Sequence, residues 1–143
     1  MAILQKLKEH FSRDSVTLDL QDIQALILRS RPEPYVGVHA MLHFDEAAGA
    51  RNLLGRLAPH IASADNWSED LDFWIGAALS FEGLKALGVP DAQLKTFPLP
   101  FQQGMAARAE QLRDFGPNAP ENWEDVFKPG NCHLALTIYA VDD

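Results

Sequence analysis

Three stretches of the chain alternate between two sets of side chains with a period of two, which is the spacing of a β-strand. Tyr35–Phe44 and His133–Val141 alternate along their whole length, and Leu71–Leu79 carries an apolar residue at every second position. Both faces of Tyr35–Phe44 are apolar enough to require cover by other parts of the structure. The pattern therefore predicts three strands inside a layered fold.

Helical spacing follows the first predicted strand. Asp45 stands where a helix cap is expected, and Pro59 predicts that the regular helix weakens near its end. The apolar side chains between these two residues recur at helical intervals and predict a buried stripe. This stripe comprises Ala50, Leu53, Leu54, Leu57 and Ile61.

Helix signals and breakers also alternate in the second half of the chain. Ser80 is predicted to cap a short helix, Gly88 to end it in a left-handed turn, and Pro90 to prevent its continuation. Pro100 suits the first turn of a further helix, with Phe101, Met105, Ala109 and Leu112 on one side. The segment 116–130 is rich in Pro, Asn and Gly, which predicts a long ordered loop with one short helix near Trp123.

The order of strand, helix, strand, helices and strand predicts an α+β fold, with an antiparallel sheet and helices on one face. It matches the first two-thirds of a ferredoxin-like β-α-β-β-α-β unit. We expect an incomplete unit in residues 22–143, preceded by an N-terminal extension in residues 1–21. The missing strand would pair with Tyr35–Phe44, whose edge is otherwise open unless Val16–Leu28 or a second copy covers it.

Charge and length restrict the classes of function. The chain has 143 residues, enough for one domain, and a net charge of −8 from 20 acidic and 12 basic residues. This charge repels nucleic acid, and no basic cluster provides an exception. The segment 1–11 is amphipathic rather than a signal-peptide core, and no apolar run approaches the roughly 18–20 residues of a membrane span. We expect a cytoplasmic protein without a membrane partner.

The histidines and the single cysteine do not form a metal site in sequence. Cys132 alone cannot form an intramolecular disulfide. His39 and His43 lie about 13 Å apart along one strand, too far to bind one ion. His60 follows Pro59 at a helix end and is expected to be structural or solvated. The same is expected of His133, because His133 and Cys132 point to opposite faces of a strand. We therefore predict no metal ligand and no catalytic or cofactor-binding residue in this chain.

Tryptophan could in principle serve as a surface redox relay. Trp67, Trp74 and Trp123 are more simply explained as core or loop-anchoring residues, since each buries a large apolar area. No nucleophile–base pair, phosphate-binding glycine loop or paired-carboxylate pattern is present in the sequence.

Several short motifs follow one another in a characteristic order. Asp22-Ile23-Gln24 comes first, then Gly83-Leu84-Lys85-Ala86-Leu87-Gly88-Val89-Pro90, then a Phe-Pro…Phe…Gly-Met-x-x-Arg segment ending at Arg108. Asp114, Gly116 and the Ala-Pro-x-x-Trp step that ends at Trp123 complete the series. Together these motifs resemble the N-terminal portion of the dye-decolourising (DyP-type) haem peroxidases. Ala25 and Arg113 depart from the pattern, because glycine is usual at both places.

The resemblance implies two ferredoxin-like halves in the complete family member, with haem bound mainly against the second. This chain would hold most of the first half, while the distal Asp, the distal Arg and the proximal His would lie elsewhere. Gly88-Val89-Pro90-Asp91-Ala92 is similar to the family's Gly-x-x-Asp-Gly motif, but Asp91 is better explained as a helix cap. Arg108 is expected to bind the 116–130 loop, with Asp114 as its partner or as a loop cap.

Three functional hypotheses follow from these expectations. The first is the scaffold portion of a haem-dependent peroxidase that oxidises dyes or aromatics in its complete form, with the haem-bearing C-terminal half as partner. The second is a non-catalytic interaction module that associates with a second copy of itself through the open strand edge. The third is a small-ligand-binding α+β domain, for which no convergent polar pocket is visible in the sequence.

Overall fold

One antiparallel sheet organises the chain. The computed structural model describes residues 18–29, 35–66 and 71–141. The sheet consists of β1 (Tyr35–Leu42), β2 (Phe73–Leu79) and β3 (Leu134–Val141), in the order β1-β3-β2. All three predicted strands and their antiparallel pairing are therefore confirmed, although β1 ends two residues before Phe44. Because β3 is central, β1 and β2 are the two edges.

Short helices connect the strands. Their order and bounds are α1 (Ala25–Leu28), α2 (Ala47–Leu57), α3 (Phe81–Ala86), α4 (Asp91–Leu94), α5 (Leu99–Gln103) and α6 (Ala109–Leu112). Single 3₁₀ turns supplement them at Leu20–Asp22, Ala58–His60, Ala106–Arg108, Gly116–Asn118, Pro120–Asn122 and Asp125–Phe127. The segment between α6 and β3 is thus the long ordered loop that the sequence predicts.

The strand register places four rows of three apolar side chains on one face of the sheet, here called the helix face. Two rows, Leu42–Leu134–Leu79 and Ala40–Leu136–Ala77, are the covered rows. The other two, Val38–Ile138–Ile75 and Val36–Ala140–Phe73, are the open rows. The buried core joins Leu134 to Phe44, to Ala50 of α2 and to Leu87 after α3, so these helices pack at the covered end only.

The first helix lies on the opposite face of the sheet. A Cβ atom on Gly76 of β2 would meet Leu26 Cδ1 at 3.0 Å, so α1 packs directly on β2. The expectation of helices on one face therefore holds for α2 and α3 and is wrong for α1. Its amphipathic segment is too short to show in the helical periodicity of the sequence.

A close approach of α3 to β3 secures the covered end. Ser80 Oγ accepts the Gly83 N–H at 3.0 Å, as predicted for a cap, and donates to the Cys132 carbonyl at 2.7 Å. A Cβ atom at position 83 would lie 2.1 Å from the His133 carbonyl oxygen. Glycine is required here because any side chain would push the helix off the strand.

Several local predictions are wrong for identifiable reasons. Asp45 does not cap α2: Glu46 precedes the helix and neither residue makes a side-chain cap bond. Asp91 is the first residue of α4 rather than its cap, since Pro90 takes that position. The helix expected from Phe101 to Leu112 is interrupted, because Gly104 adopts a φ of 71° that no right-handed helix can continue.

The segment offered as cover for the open edge lies elsewhere. Of Val16–Leu28, the described residues begin at Leu18, and Gln24 binds β2 rather than β1. Its side chain accepts the Ala77 N–H at 2.9 Å and donates to the Ala77 carbonyl at 2.8 Å, so it protects the β2 edge. Among the described residues no strand pairs with the outer side of β1.

Candidate functional site

A concave pocket of about 590 Å³ opens on the sheet face opposite α2 and α3. Small residues of β2 and β3 form its floor, namely Gly76, Ala78, Ala135 and Thr137. Leu26 and Ile27 of α1 line one side. These positions carry little side-chain volume, so the floor of the pocket lies close to the backbone of the sheet.

Two tyrosine rings line the pocket on the side of β1. Tyr35 and Tyr139 meet edge to face, with ring centres 5.2 Å apart and an interplanar angle of 87°. Tyr139 lies over Gly37, where a Cβ atom would approach its ring to 2.7 Å. His39 Nδ1 and Thr137 Oγ1 form a hydrogen bond of 3.0 Å beside this ring. The aromatic wall is therefore fixed by β1 and β3 together.

Arg29 is the only charged residue among the described residues that line the pocket. Its Nε and Nη2 atoms both donate to the Ala64 carbonyl, at 3.0 Å and 2.7 Å. This pair of bonds holds the guanidinium in one orientation at the pocket. The sequence predicts neither the position of Arg29 nor the edge-binding role of Gln24, although Gln24 stands in the first of the family-like motifs.

The residues around this pocket do not fit a histidine-ligated haem. None of the described residues that line it is a histidine. His43 Nδ1 contacts the Asn131 carbonyl at 3.2 Å, and His60 lies exposed in the 3₁₀ turn after α2. In the described part of the chain, no group of three or more His, Cys, Asp or Glu residues could hold a metal ion.

His133 has a structural role at the covered end. It is 7% exposed, its Nδ1 accepts the Phe44 N–H at 2.9 Å, and its ring stacks on His43 with centres 4.1 Å apart. Burial lowers the pKa of His133 below its usual value, and the neighbouring His43 lowers the pKa further; Glu82, Asp45 and a backbone bond with Gly130 oppose this. The neutral ring that results matches its role as a hydrogen-bond acceptor.

Arg108 and Asp114 do not form the predicted pair. Arg108 Nε donates to Gln111 Oε1 at 3.3 Å, one turn along its own segment. Asp114 Oδ2 is buried without a hydrogen-bond partner among the described residues. Among the described residues, Arg108 therefore makes no side-chain hydrogen bond to the 116–130 loop.

Two of the three tryptophans follow the predicted structural roles. Trp74 of β2 is 1% exposed, and Trp123 Nε1 donates to the Asn118 carbonyl at 2.8 Å inside its loop. Trp67 lies outside the described residues. Cys132 is a free thiol whose Sγ lies 3.8 Å from Met41 Sδ.

The exposed large apolar side chains of the described residues include two groups. On the helix face they belong to the open rows, where Val38 is 61% exposed. The second group belongs to the segment 97–127, here called the loop-rich segment, in which exposed large side chains include Leu99, Met105, Phe115 and Phe127. Contiguous exposed apolar surface is characteristic of an interface. Among the described helices none is long and apolar enough to cross a membrane.

The arrangement defines the class of the fold as α+β and ferredoxin-like. No sequence profile of a known family matches the chain. No curated protein matches it either. Solved structures do match, and those reported below are DyP-type peroxidases.

A DyP crystal structure is 23% identical, with a TM-score of 0.71, over 89% of this chain and 28% of that one. An ancestral D-type dye-decolourising peroxidase is 26% identical, with a TM-score of 0.69, over 87% of this chain and 28% of that one. A DyP-type peroxidase from Anabaena sp. is 24% identical, with a TM-score of 0.70, over 87% and 29%. The structural similarity to DyP-type peroxidases confirms the resemblance expected from the motifs. The chain spans little more than a quarter of the length of these relatives.

Proposed function

We propose that this chain is the N-terminal scaffold portion of a DyP-type haem peroxidase, with residues 22–143 as its partial ferredoxin-like domain. In the complete protein, peroxide-driven oxidation of dyes or aromatics would take place on haem held by a C-terminal half. The chain itself would contribute neither the haem ligand nor the distal aspartate. We further propose that it acts in the cytoplasm, without nucleic-acid or membrane partners.

The observation that carries this proposal is the match to about 28% of a DyP structure over 89% of this chain. The exposed apolar surfaces agree with it. The open rows and the loop-rich segment together provide the kind of surface that a second half would bury. His133 adds support, since its Nδ1 already accepts the Phe44 N–H, and the described lining of the pocket holds no histidine.

A chimera tests the proposal directly. This chain replaces the matching 29% of the Anabaena sp. peroxidase, and haem absorbance and peroxide-dependent dye oxidation are measured. We expect the chimera to bind haem in about 1:1 ratio, and the chain alone to bind none in that ratio. Stoichiometric haem and peroxide turnover by the chain alone would overturn the proposal.

A matched pair of variants tests whether the open rows form the contact. Val38→Asp places a charge in the open rows, and Ala48→Asp places the same charge at an exposed position of α2. We expect only Val38→Asp to prevent assembly of the chimera, because a buried unpaired carboxylate is strongly unfavourable. Equal activity of both variants would show that the other half docks elsewhere.

The alternative function is a stand-alone module that pairs with a second copy through β1. The observation that favours it is the outer edge of β1, with which no strand of the described residues pairs. Val141 N–H and the His133 carbonyl both bond toward β2, so the alternation of an antiparallel ladder turns the backbone of Gly37 and His39 away from β3. Neither a proline nor a lysine guards β1.

Light scattering and amide exchange distinguish the two functions. A dimer with slowly exchanging Gly37 and His39 amides is expected for the self-associating module. A monomer in which both amides exchange fast is expected for a scaffold that lacks its second half. A monomer in which both are protected would contradict an open edge in either case.

A further inference from the structure

We infer that the pocket on the sheet binds a small aromatic carboxylate. The inference goes beyond the proposed function and does not depend on it, because the pocket lies on the face opposite the open rows. The pocket volume of about 590 Å³ lies within the usual range for small-ligand sites, roughly 300–1,000 Å³.

The charge of the ligand follows from Arg29. A guanidinium has five N–H groups, and the Ala64 carbonyl accepts from Nε and from Nη2. The N–H groups of Nη1 have no hydrogen-bond partner within residues 18–29, 35–66 and 71–141. The N–H groups on the Nη1–Nη2 side of the guanidinium can therefore donate two parallel hydrogen bonds to a planar carboxylate.

The surroundings favour an anion over a cation or a neutral molecule. Among the described residues that line the pocket there is neither Asp nor Glu, although acidic residues outnumber basic ones by 20 to 12 in the chain. Arg29 is therefore the charged group of the described lining. An anion that enters the pocket gains the attraction of this guanidinium.

The shape and the wall favour an aromatic body. Gly76, Ala78 and Ala135 have small side chains or none, so a planar ring can lie close to the sheet at the floor of the pocket. Tyr35 and Tyr139 both line the pocket, with their rings perpendicular to each other, and give this wall an aromatic character. Leu26 and Ile27 provide apolar contact on the other side.

Three probes separate these elements of recognition. The ¹⁵N-labelled chain is titrated with 2-naphthoate, with the neutral 2-naphthamide and with the aliphatic octanoate, and backbone amide shifts are followed. We expect saturable shifts at Gly76 and Thr137 with 2-naphthoate, and weaker binding of the other two. Equal binding of 2-naphthamide would refute the role of charge, and equal binding of octanoate would refute the aromatic selectivity.

Two variants and a control locate the site. Arg29→Lys keeps the charge but loses the paired geometry, and we expect about tenfold weaker binding of 2-naphthoate. Ala78→Leu fills the floor and should abolish binding, whereas Val38→Leu on the opposite face should leave it unchanged. Amide spectra of each variant confirm that it is folded. Absence of saturable shifts in the natural chain, or shifts confined to the open rows, would overturn the inference.

Discussion

The covered rows and the open rows of the helix face have the same kind of residues and very different surroundings. Leu134 in a covered row is 0% exposed, whereas Val38 in an open row is 61% exposed. Both sit on the same face of neighbouring strands, about two rows apart. The difference arises because α2 and α3 pack on the covered rows and do not extend over the open rows. Alternation in a strand thus determines which face a residue joins, and the helices determine whether that face is buried.

The two ends also differ in how closely the backbone segments approach each other. At the covered end, α3 touches the His133 carbonyl through Gly83, and His133 accepts the Phe44 N–H. At the open end, β1 has a free outer side within the described residues. Stability should therefore concentrate at the covered end, and association should concentrate at the open end. Four predictions test this division.

The largest effect is expected at Gly83. Gly83→Ala places a Cβ atom 2.1 Å from the His133 oxygen and should lower the free energy of unfolding by about 3 kcal/mol or more. Urea unfolding followed by circular dichroism measures it. The control Gly55→Ala has no atom within 4 Å of its new Cβ in α2 and should raise stability by about 0.5–1 kcal/mol. Similar changes in both would contradict the close approach.

A pair of truncations compares the rows themselves. Leu134→Ala removes a buried side chain and should cost about 2–5 kcal/mol. Val38→Ala removes an exposed side chain and should change the stability of the isolated chain by about 0.5 kcal/mol or less. Thermal unfolding of both variants decides the matter. A large loss in Val38→Ala would show that the open rows are already covered in the isolated chain.

A smaller gain in stability is expected at Arg113. It is the only described non-glycine residue with a positive φ, 63°, and it follows α6 as its C-cap. Arg113→Gly removes the strain of the left-handed conformation and should stabilise the chain by about 1 kcal/mol. Arg113→Ala retains the strain and serves as control. An equal gain in both variants would assign the effect to the lost charge instead.

The smallest effect is a pH dependence that arises from His133. Because burial lowers the pKa of His133 in the folded state, the unfolded state binds this proton at a higher pH than the folded state does. The contribution of the neutral His133 to the free energy of unfolding is fully present above the unfolded pKa of about 6.5 and decreases as the pH falls below it. His133→Asn should flatten the stability profile between about pH 8 and pH 5. An unchanged profile in His133→Asn would exclude His133 as the source.

The three strands and the caps at Ser80 and Gly88 follow from local residues. Alternation and turn chemistry act over a few neighbouring positions, so a sequence expresses them directly. The same holds for Pro100 at the start of α5. The family-like motifs were also legible, because each occupies a few consecutive residues.

Only the tertiary structure decided the pocket, the cover of the sheet and the contacts of Arg108 and Asp114. Gln24 reaches Ala77 across 53 positions, and Arg29 reaches Ala64 across 35. His43 and His133, 90 positions apart by their numbers, stack only because β1 and β3 pair. Periodicity has no information on contacts at such separations, since they depend on which segments pack together. The sequence determined the faces of the sheet, and packing determined which parts of those faces remain accessible.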